Sequence, residues 1–293
     1  MSRTSFRLAL TGLAAGLSLA LFQPAAQAAE GAPKPPALSW SFSGPFGKFD
    51  RAQLQRGFKV YKEVCASCHG ASLAAFRNLS QPGGPEFTPG QVAALAATYQ
   101  IKDGPNDQGE MFDRPGRPAD RFPSPFPNEQ AARAAQGGAY PPDFSVLAKA
   151  RTYTRGFPTF IFDIFTQYQE QGPDYIHALM VGYTEPPAGF PALLPGQNFN
   201  EYMPGHLIAM PKPLSDGQVE YPKGPDGKSP VPETVDQYAR DVAAFMVWMA
   251  EPHLEARKRM GMQVMIFLVF FAGLLYYTQK KVWSRMPDGS PAH

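Results

Sequence analysis

Nineteen consecutive residues without a charged side chain, from Met260 to Thr278, constrain this chain more than any other feature. A helix of that length just crosses the hydrocarbon core of a bilayer. Arg257, Lys258 and Arg259 precede the run, and Lys280, Lys281 and Arg285 follow it. Tyr276, Tyr277 and Trp283 suit the aromatic belt of a membrane interface. Clustered charge at both ends argues against a buried core helix. Three basic residues on each side leave the orientation open, so the N-terminus decides it. Arg3 and Arg7 lead an apolar run from Leu8 to Phe22, and Ala26-Gln27-Ala28 places small residues before a cleavage point at Ala29. That is the pattern of a secretory signal, too short and too rich in Gly and Ala for a permanent anchor. The expected organisation is a signal peptide over 1–28, an exported domain over 29–255, an anchor helix over 256–283 and a cytoplasmic tail over 284–293.

The exported part is rich in turns, since the chain holds 32 Pro and 27 Gly. With 44% hydrophobic residues it is still too apolar to remain disordered. A net charge of +2 gives no basic footprint for nucleic acid. Helical signals outnumber strand signals. Asp50 can cap a helix that places Leu54, Phe58, Tyr61 and Cys65 at helical spacing. Thr88-Pro89 opens a second over 91–99, Pro173 a third over 174–181 that Gly182 can close, and Thr234 a longer one with Val235, Tyr238, Val242, Phe245, Met246 and Met249 on one stripe. Shorter candidates lie at 143–151 and 160–168, and Pro252 breaks the path into the membrane helix. Irregular stretches fill 105–140, 185–213 and 222–232. A loop-rich helical domain of this kind is suited to a large apolar cofactor at its centre.

The two cysteines of the chain both fall in Cys65-Ala66-Ser67-Cys68-His69. This is C-x-x-C-H, the attachment pattern of a c-type haem. Two thiols three apart reach the two vinyl groups of one porphyrin, and the adjacent histidine faces the iron. A thioredoxin-like pair needs a strand-to-helix turn, and no β-rich run precedes Cys65. A zinc site lacks a fourth ligand. A disulfide across four residues closes a trivial loop.

The sixth ligand separates an electron carrier from an open haem enzyme or gas-binding protein. Candidates are Met111, Met180, Met203, Met210, Met246, Met249, His177, His206 and His253. Met180, Met246 and Met249 lie on apolar helical stripes, and His177 lies in a predicted helix. Met210 sits in Ile208-Ala209-Met210-Pro211-Lys212-Pro213, whose prolines stiffen the backbone; Met203, before Pro204, competes with it.

The chain resembles the cytochrome c1 family, the haem subunits of quinol–cytochrome c oxidoreductases, over nearly its whole expected mature length. Five segments carry the likeness: Gly57-Phe58-x-Val60-Tyr61 through Cys65-x-x-Cys68-His69; Tyr140-Pro141-Pro142-Asp143-Phe144-Ser145 through Ala150-Arg151; Gly182-Tyr183-x-Glu185-Pro186-Pro187 with Phe199-Asn200-x-Tyr202-x-Pro204-Gly205; Ala209-Met210-Pro211-x-Pro213-Leu214; and Ala250-Glu251-Pro252 with Arg257-Lys258-Arg259-Met260-Gly261. The resemblance implies a mostly α, cytochrome c-like haem domain with long loops and one C-terminal transmembrane helix. It implies one haem c attached through Cys65 and Cys68, His69 and Met210 as iron ligands, and Arg151 near a propionate. It implies cytochrome b and a Rieske iron–sulfur protein as neighbours, a soluble or anchored cytochrome c as electron acceptor, and a place in the bacterial inner membrane with the haem domain on the periplasmic side. On its own such a chain is a redox subunit rather than an enzyme. The extra cysteine pair of some bacterial members is missing, so prolines and packing must hold 185–208. Residues 83–127 contain none of the segments that carry the resemblance.

Charge is unevenly spread. Residues 31–155 carry 15 basic and 10 acidic side chains, whereas 156–256 carry 4 basic and 13 acidic. An acidic half steers a basic mobile partner such as a cytochrome c.

Overall fold

The computed structural model describes residues 33–151 and 171–284. The expected signal peptide, the helix candidate at 160–168 and the last residues of the tail lie outside them. Helix α1 spans Arg51–Glu63, where Asp50 caps it by accepting from the amides of Ala52 (2.9 Å) and Gln53 (3.2 Å). A 3₁₀ turn, Cys65–Ser67, follows directly, and a second covers Phe76–Ser80. Helix α2, Pro89–Ala97, starts on a reciprocal capping box between Thr88 and Gln91. Then come β1 (Gln100–Asp103), β2 (Phe112–Pro115), α3 (Glu129–Ala135) and α4 (Leu147–Ala150). Helix α5 spans Gln171–Val181, β3 Asn198–Phe199, β4 Leu207–Ile208, α6 Val235–Ala250 and α7 Leu254–Trp283.

Helices α1 and α6 form the centre. Their backbones meet at Gly57, where a Cβ would lie 2.0 Å from the Asp241 carbonyl oxygen, so only glycine allows this approach. Around that point Leu54, Phe58 and Tyr61 of α1 pack with Tyr238, Val242, Phe245 and Trp248 of α6, all buried. Helix α6 carries the expected stripe; Met246 is 2% exposed, and Met180 and Met249 pack against the core. Helix α5 lies against α6, and α4 touches both.

One polar group is buried here. Asp241 is wholly enclosed and accepts from Arg56 Nε (2.8 Å) and Nη2 (3.1 Å), Gln237 Nε2 (2.9 Å) and the Tyr221 hydroxyl (2.8 Å). Each carboxylate oxygen thus has two donors, which offsets the cost of its desolvation. The same bond and the burial raise the Tyr221 hydroxyl above its ordinary pKa, chiefly through burial.

Two stretches depart from expectation. The region 105–140 holds the second strand of an antiparallel hairpin, β1 with β2 in register Gln100↔Pro115, and the helix α3. Four-residue strands reading Gln-Ile-Lys-Asp and Phe-Asp-Arg-Pro have no apolar alternation to signal them. Arg114 stitches the hairpin instead, donating to Asp103 and, through two nitrogens, to Asp120. The expected helix over 143–151 shrinks to Leu147–Ala150, because residues 143–145 spend their polar groups on another segment. The break at Pro252 is where expected: α6 ends at Ala250 and α7 begins at Leu254.

Helix α7 is long and apolar enough to cross a membrane, and its apolar side chains from Met260 onward face outward.

Candidate functional site

The site grows from the C-terminal end of α1. The turn holding Cys65 to His69 closes on the Cys65 carbonyl, which accepts from the amides of Cys68 (3.1 Å) and His69 (2.9 Å). The two cysteines form no disulfide. Cys65 packs against the core, and burial, with Cys68 adding to it, pushes its thiol up to about 12. The motif follows a helix and no strand leads into it, so the thioredoxin-like alternative lacks its framework. Among the described residues no group of three or more His, Cys, Asp or Glu is placed to hold a metal ion, so the zinc alternative finds no further ligand.

His69 is 9% exposed, its ring held by two contacts and its backbone by a third. Its Nδ1 lies 2.8 Å from the Pro142 carbonyl oxygen. A carbonyl only accepts, so Nδ1 carries the proton and Nε2 the lone pair. The ring of Phe144 stacks on it at 4.3 Å between centroids. The Tyr61 hydroxyl donates to its backbone carbonyl at 3.3 Å. Burial lowers the imidazole pKa, against the opposing bond to Pro142, so the ring is neutral at neutral pH. Among the described residues Nε2 has no hydrogen-bond partner. A neutral, oriented imidazole whose Nε2 can bind a metal, beside two cysteines that form no disulfide, fits a covalently attached haem.

The clamp on His69 is the segment 142–145. Besides the Pro142 carbonyl, the Phe144 amide donates to the Gly70 carbonyl (2.8 Å). Asp143 Oδ2 accepts from the Ser72 amide (2.8 Å), Asp143 Oδ1 from the Ser145 amide (2.8 Å), and Ser145 Oγ from the Leu73 amide (3.0 Å). Aromatic rings link the clamp to the centre of the fold, Phe144 to Tyr61 at 6.1 Å and Tyr61 to Phe245 at 5.8 Å.

Burial pushes the Asp143 carboxyl up, but the bonds from Ser145 and Ser72 outweigh it and hold the group below its ordinary 3.8. A carboxyl depressed in the fold stabilises at pH above the unfolded value and loses that contribution as pH falls through the folded one. Asp143→Asn turns one oxygen into a donor facing the Ser72 amide, which costs about 1–3 kcal/mol at neutral pH. Chemical unfolding of the two proteins at pH 7 and pH 3 checks this: the gap is expected to narrow in acid.

The candidate sixth ligands sit in different surroundings. His177 Nε2 is paired with Asp236 at 2.8 Å. His206 sits at φ 60° with Nδ1 3.3 Å from the Asn200 carbonyl, and His253 caps α7. Met246 is core, and Met111, just before β2, is 57% exposed. Met203 Sδ accepts from the Tyr175 hydroxyl at 3.7 Å. Met210 Sδ has no hydrogen bond among the described residues, and its backbone is held by the Tyr183 hydroxyl, which donates to its carbonyl at 3.0 Å. The hairpin before it, Asn198↔Ile208, docks on the end of α5: buried Asn200 donates to the Leu179 carbonyl (2.7 Å), and the Glu201 amide to the Gly182 carbonyl (2.9 Å). Arg151 caps α4 with its side chain exposed, near enough to Tyr175 for its charge to be felt there.

Sequence reasoning missed the roles of Pro142, Asp143, Ser145, Tyr61 and Tyr183. The first three were visible only as a family segment, since a carbonyl bonded 73 residues away leaves no local pattern.

The chain matches the Cytochrome C1 family over residues 40–286. It belongs to the cytochrome c1 family. It is 49% identical over 263 residues to a cytochrome c1 of Blastochloris viridis, an alignment covering 89% of this chain and 90% of that one. It is 42% identical over 271 residues to a cytochrome c1 of Rhodospirillum rubrum, covering 92% and 95%. A Bradyrhizobium diazoefficiens protein named cytochrome b/c1 is 64% identical over 259 residues, covering 88% of this chain and 37% of that longer protein. Cytochrome c1 proteins are haem c subunits that carry electrons in the bc1 complex, and the long apolar α7 fits a membrane anchor.

Proposed function

We propose that this cytochrome c1 chain holds one haem c through thioethers at Cys65 and Cys68, with His69 Nε2 as proximal ligand and Met210 Sδ as distal ligand. The observation that carries this is the His69 ring, neutral, clamped by Pro142 and Phe144, with Nε2 left to bind a metal beside two cysteines that form no disulfide. A haem bound there supplies one-electron exchange at iron with no bond made or broken in a substrate. The protein's part is to fix both ligands, one on the α1 turn and one beyond the hairpin docked on α5, so that neither moves on electron transfer. Arg151 is a candidate counter-charge for a propionate.

The electron comes from a Rieske iron–sulfur protein and passes to a soluble or anchored cytochrome c, with cytochrome b alongside. The name of the Bradyrhizobium relative, which joins b and c1, supports that neighbour. The export signal read at 1–28 supports a periplasmic haem domain, with the segment after α7 inside.

The acidic half is less of a surface than its count implies, since Asp174 and Asp241 are 0% exposed. Glu185, Glu201 and Asp216 are exposed and remain available to steer a basic cytochrome. Asp216 Oδ1 also accepts from the Val235 amide at 2.7 Å, which asparagine preserves. The triple variant Glu185→Gln, Glu201→Gln, Asp216→Asn is expected to reduce a basic cytochrome c more slowly at low salt and with a flatter ionic-strength dependence. Stopped-flow rates identical to wild type across salt concentrations reject the steering surface.

A further inference from the structure

The root of α7 is bound into the rest of the chain. Arg51 Nη1 and Nη2 donate to Glu255 Oε1 (2.6 Å) and Oε2 (2.9 Å), and the Phe49 amide donates to Glu255 Oε1 (2.9 Å). One turn further along, Lys258 Nζ donates to the carbonyls of Phe42 and Gly44. The loop 41–49 is therefore fastened to the first turns of the anchor. Its rings alternate between two environments. Trp40, Phe42 and Phe49 are buried in a series of ring contacts, stacked at 5.4 Å and tilted at 5.1 Å, whereas Phe46 between them is 73% exposed. None of the described large apolar side chains is more exposed; Phe270, at 72%, belongs to the apolar run of α7.

Depth along α7 follows from helix geometry. Residues 260–278 span about 28 Å at roughly 1.5 Å per residue, which matches a hydrocarbon core of about 30 Å. The interfacial layer adds roughly 5–8 Å on each side, so the three or four residues before Met260 lie among lipid headgroups. Lys258 is one of them, and Phe46 is two residues from the Gly44 carbonyl it binds. Lys48 and Arg259, both exposed, flank the same level.

We propose that the loop 43–47 is a second membrane contact: Phe46 places its ring at the boundary between headgroups and acyl chains, and Lys48 and Arg259 pair with anionic lipid headgroups. An aromatic ring beside basic side chains is the composition that this layer favours. The contact fixes the tilt of the haem-binding part over the bilayer. It rests on α7 as the anchor.

The test uses the full haem-loaded chain in vesicles of phosphatidylcholine and phosphatidylglycerol, spin-labelled at Phe46→Cys. Cys65 and Cys68, tied up as thioethers, leave position 46 as the reactive thiol. Val269→Cys calibrates the bilayer interior, and Met111→Cys, 57% exposed on the β1–β2 hairpin, calibrates water. Collision with lipid-soluble oxygen is compared with collision with a water-soluble nickel chelate. The oxygen-to-nickel ratio at 46 is expected several-fold above that at 111 and below that at 269. A ratio equal to that at 111 puts the loop in water and overturns the proposal. Shielding from both reagents points to a protein contact and overturns lipid as the occupant. If 269 also reads as water, the anchor assignment fails and the proposal falls with it.

Discussion

Met210→Leu is expected to turn a haem closed to external ligands into one that binds carbon monoxide, with the reduced spectrum shifting on addition of the gas. The reduction potential falls as well, by on the order of 0.1–0.3 V within the roughly 0.8 V span that axial ligation sets. Methionine sulfur stabilises the ferrous state, and leucine offers the iron nothing. Met203→Leu is the matched control, since its sulfur is engaged by the Tyr175 hydroxyl; it should leave both readouts unchanged. Carbon monoxide binding by the Met203 variant and not the Met210 variant reverses the assignment.

Asp241→Ala is expected to be the most destabilising single change in the fold. The carboxylate is 0% exposed and the Arg56 side chain only 12%. Removing the acid leaves a guanidinium, the Tyr221 hydroxyl and the Gln237 amide without their acceptor. Breaking a buried pair from one side costs about 3–5 kcal/mol. For a domain of this size each kcal/mol lowers Tm by roughly 2–4 °C, so a drop of about 6–20 °C is expected in calorimetry of the haem-loaded protein. The double variant Arg56→Met, Asp241→Leu removes both charges and should recover part of the loss. A single variant that melts with wild type shows that the network is not needed for stability.

What the sequence revealed depended on whether the chemistry was local. The candidate attachment motif Cys65, Cys68 and His69 was legible because one porphyrin demands two thiols and a ligand within five residues. The caps at Asp50, Thr88 and Thr234 and the stripe on α6 were legible because helix ends and faces follow from spacing. The family likeness drew attention to 140–145 without saying what it does there. Its function is long-range: Pro142, Asp143, Phe144 and Ser145 bond to residues 69–73, and those bonds explain why a helix expected from 143 starts only at Leu147. Asp241 misled in the opposite way. It counted as one more surface acid, yet Gly57 brings α1 so close that Arg56 and Asp241 are enclosed together. Proline composition alone left Met203 and Met210 close to equal; in the structure the Tyr175 hydroxyl donates to the Met203 sulfur and the Tyr183 hydroxyl to the Met210 carbonyl, and both contacts span loops that no periodicity encodes.

Intact-mass spectrometry of the purified chain after extraction with acidic organic solvent tests the central claim most directly. The account predicts a chain heavier by one haem, with the added mass on the peptide containing Cys65 and Cys68 and no titratable thiol. A chain of unmodified mass with two reactive thiols contradicts it.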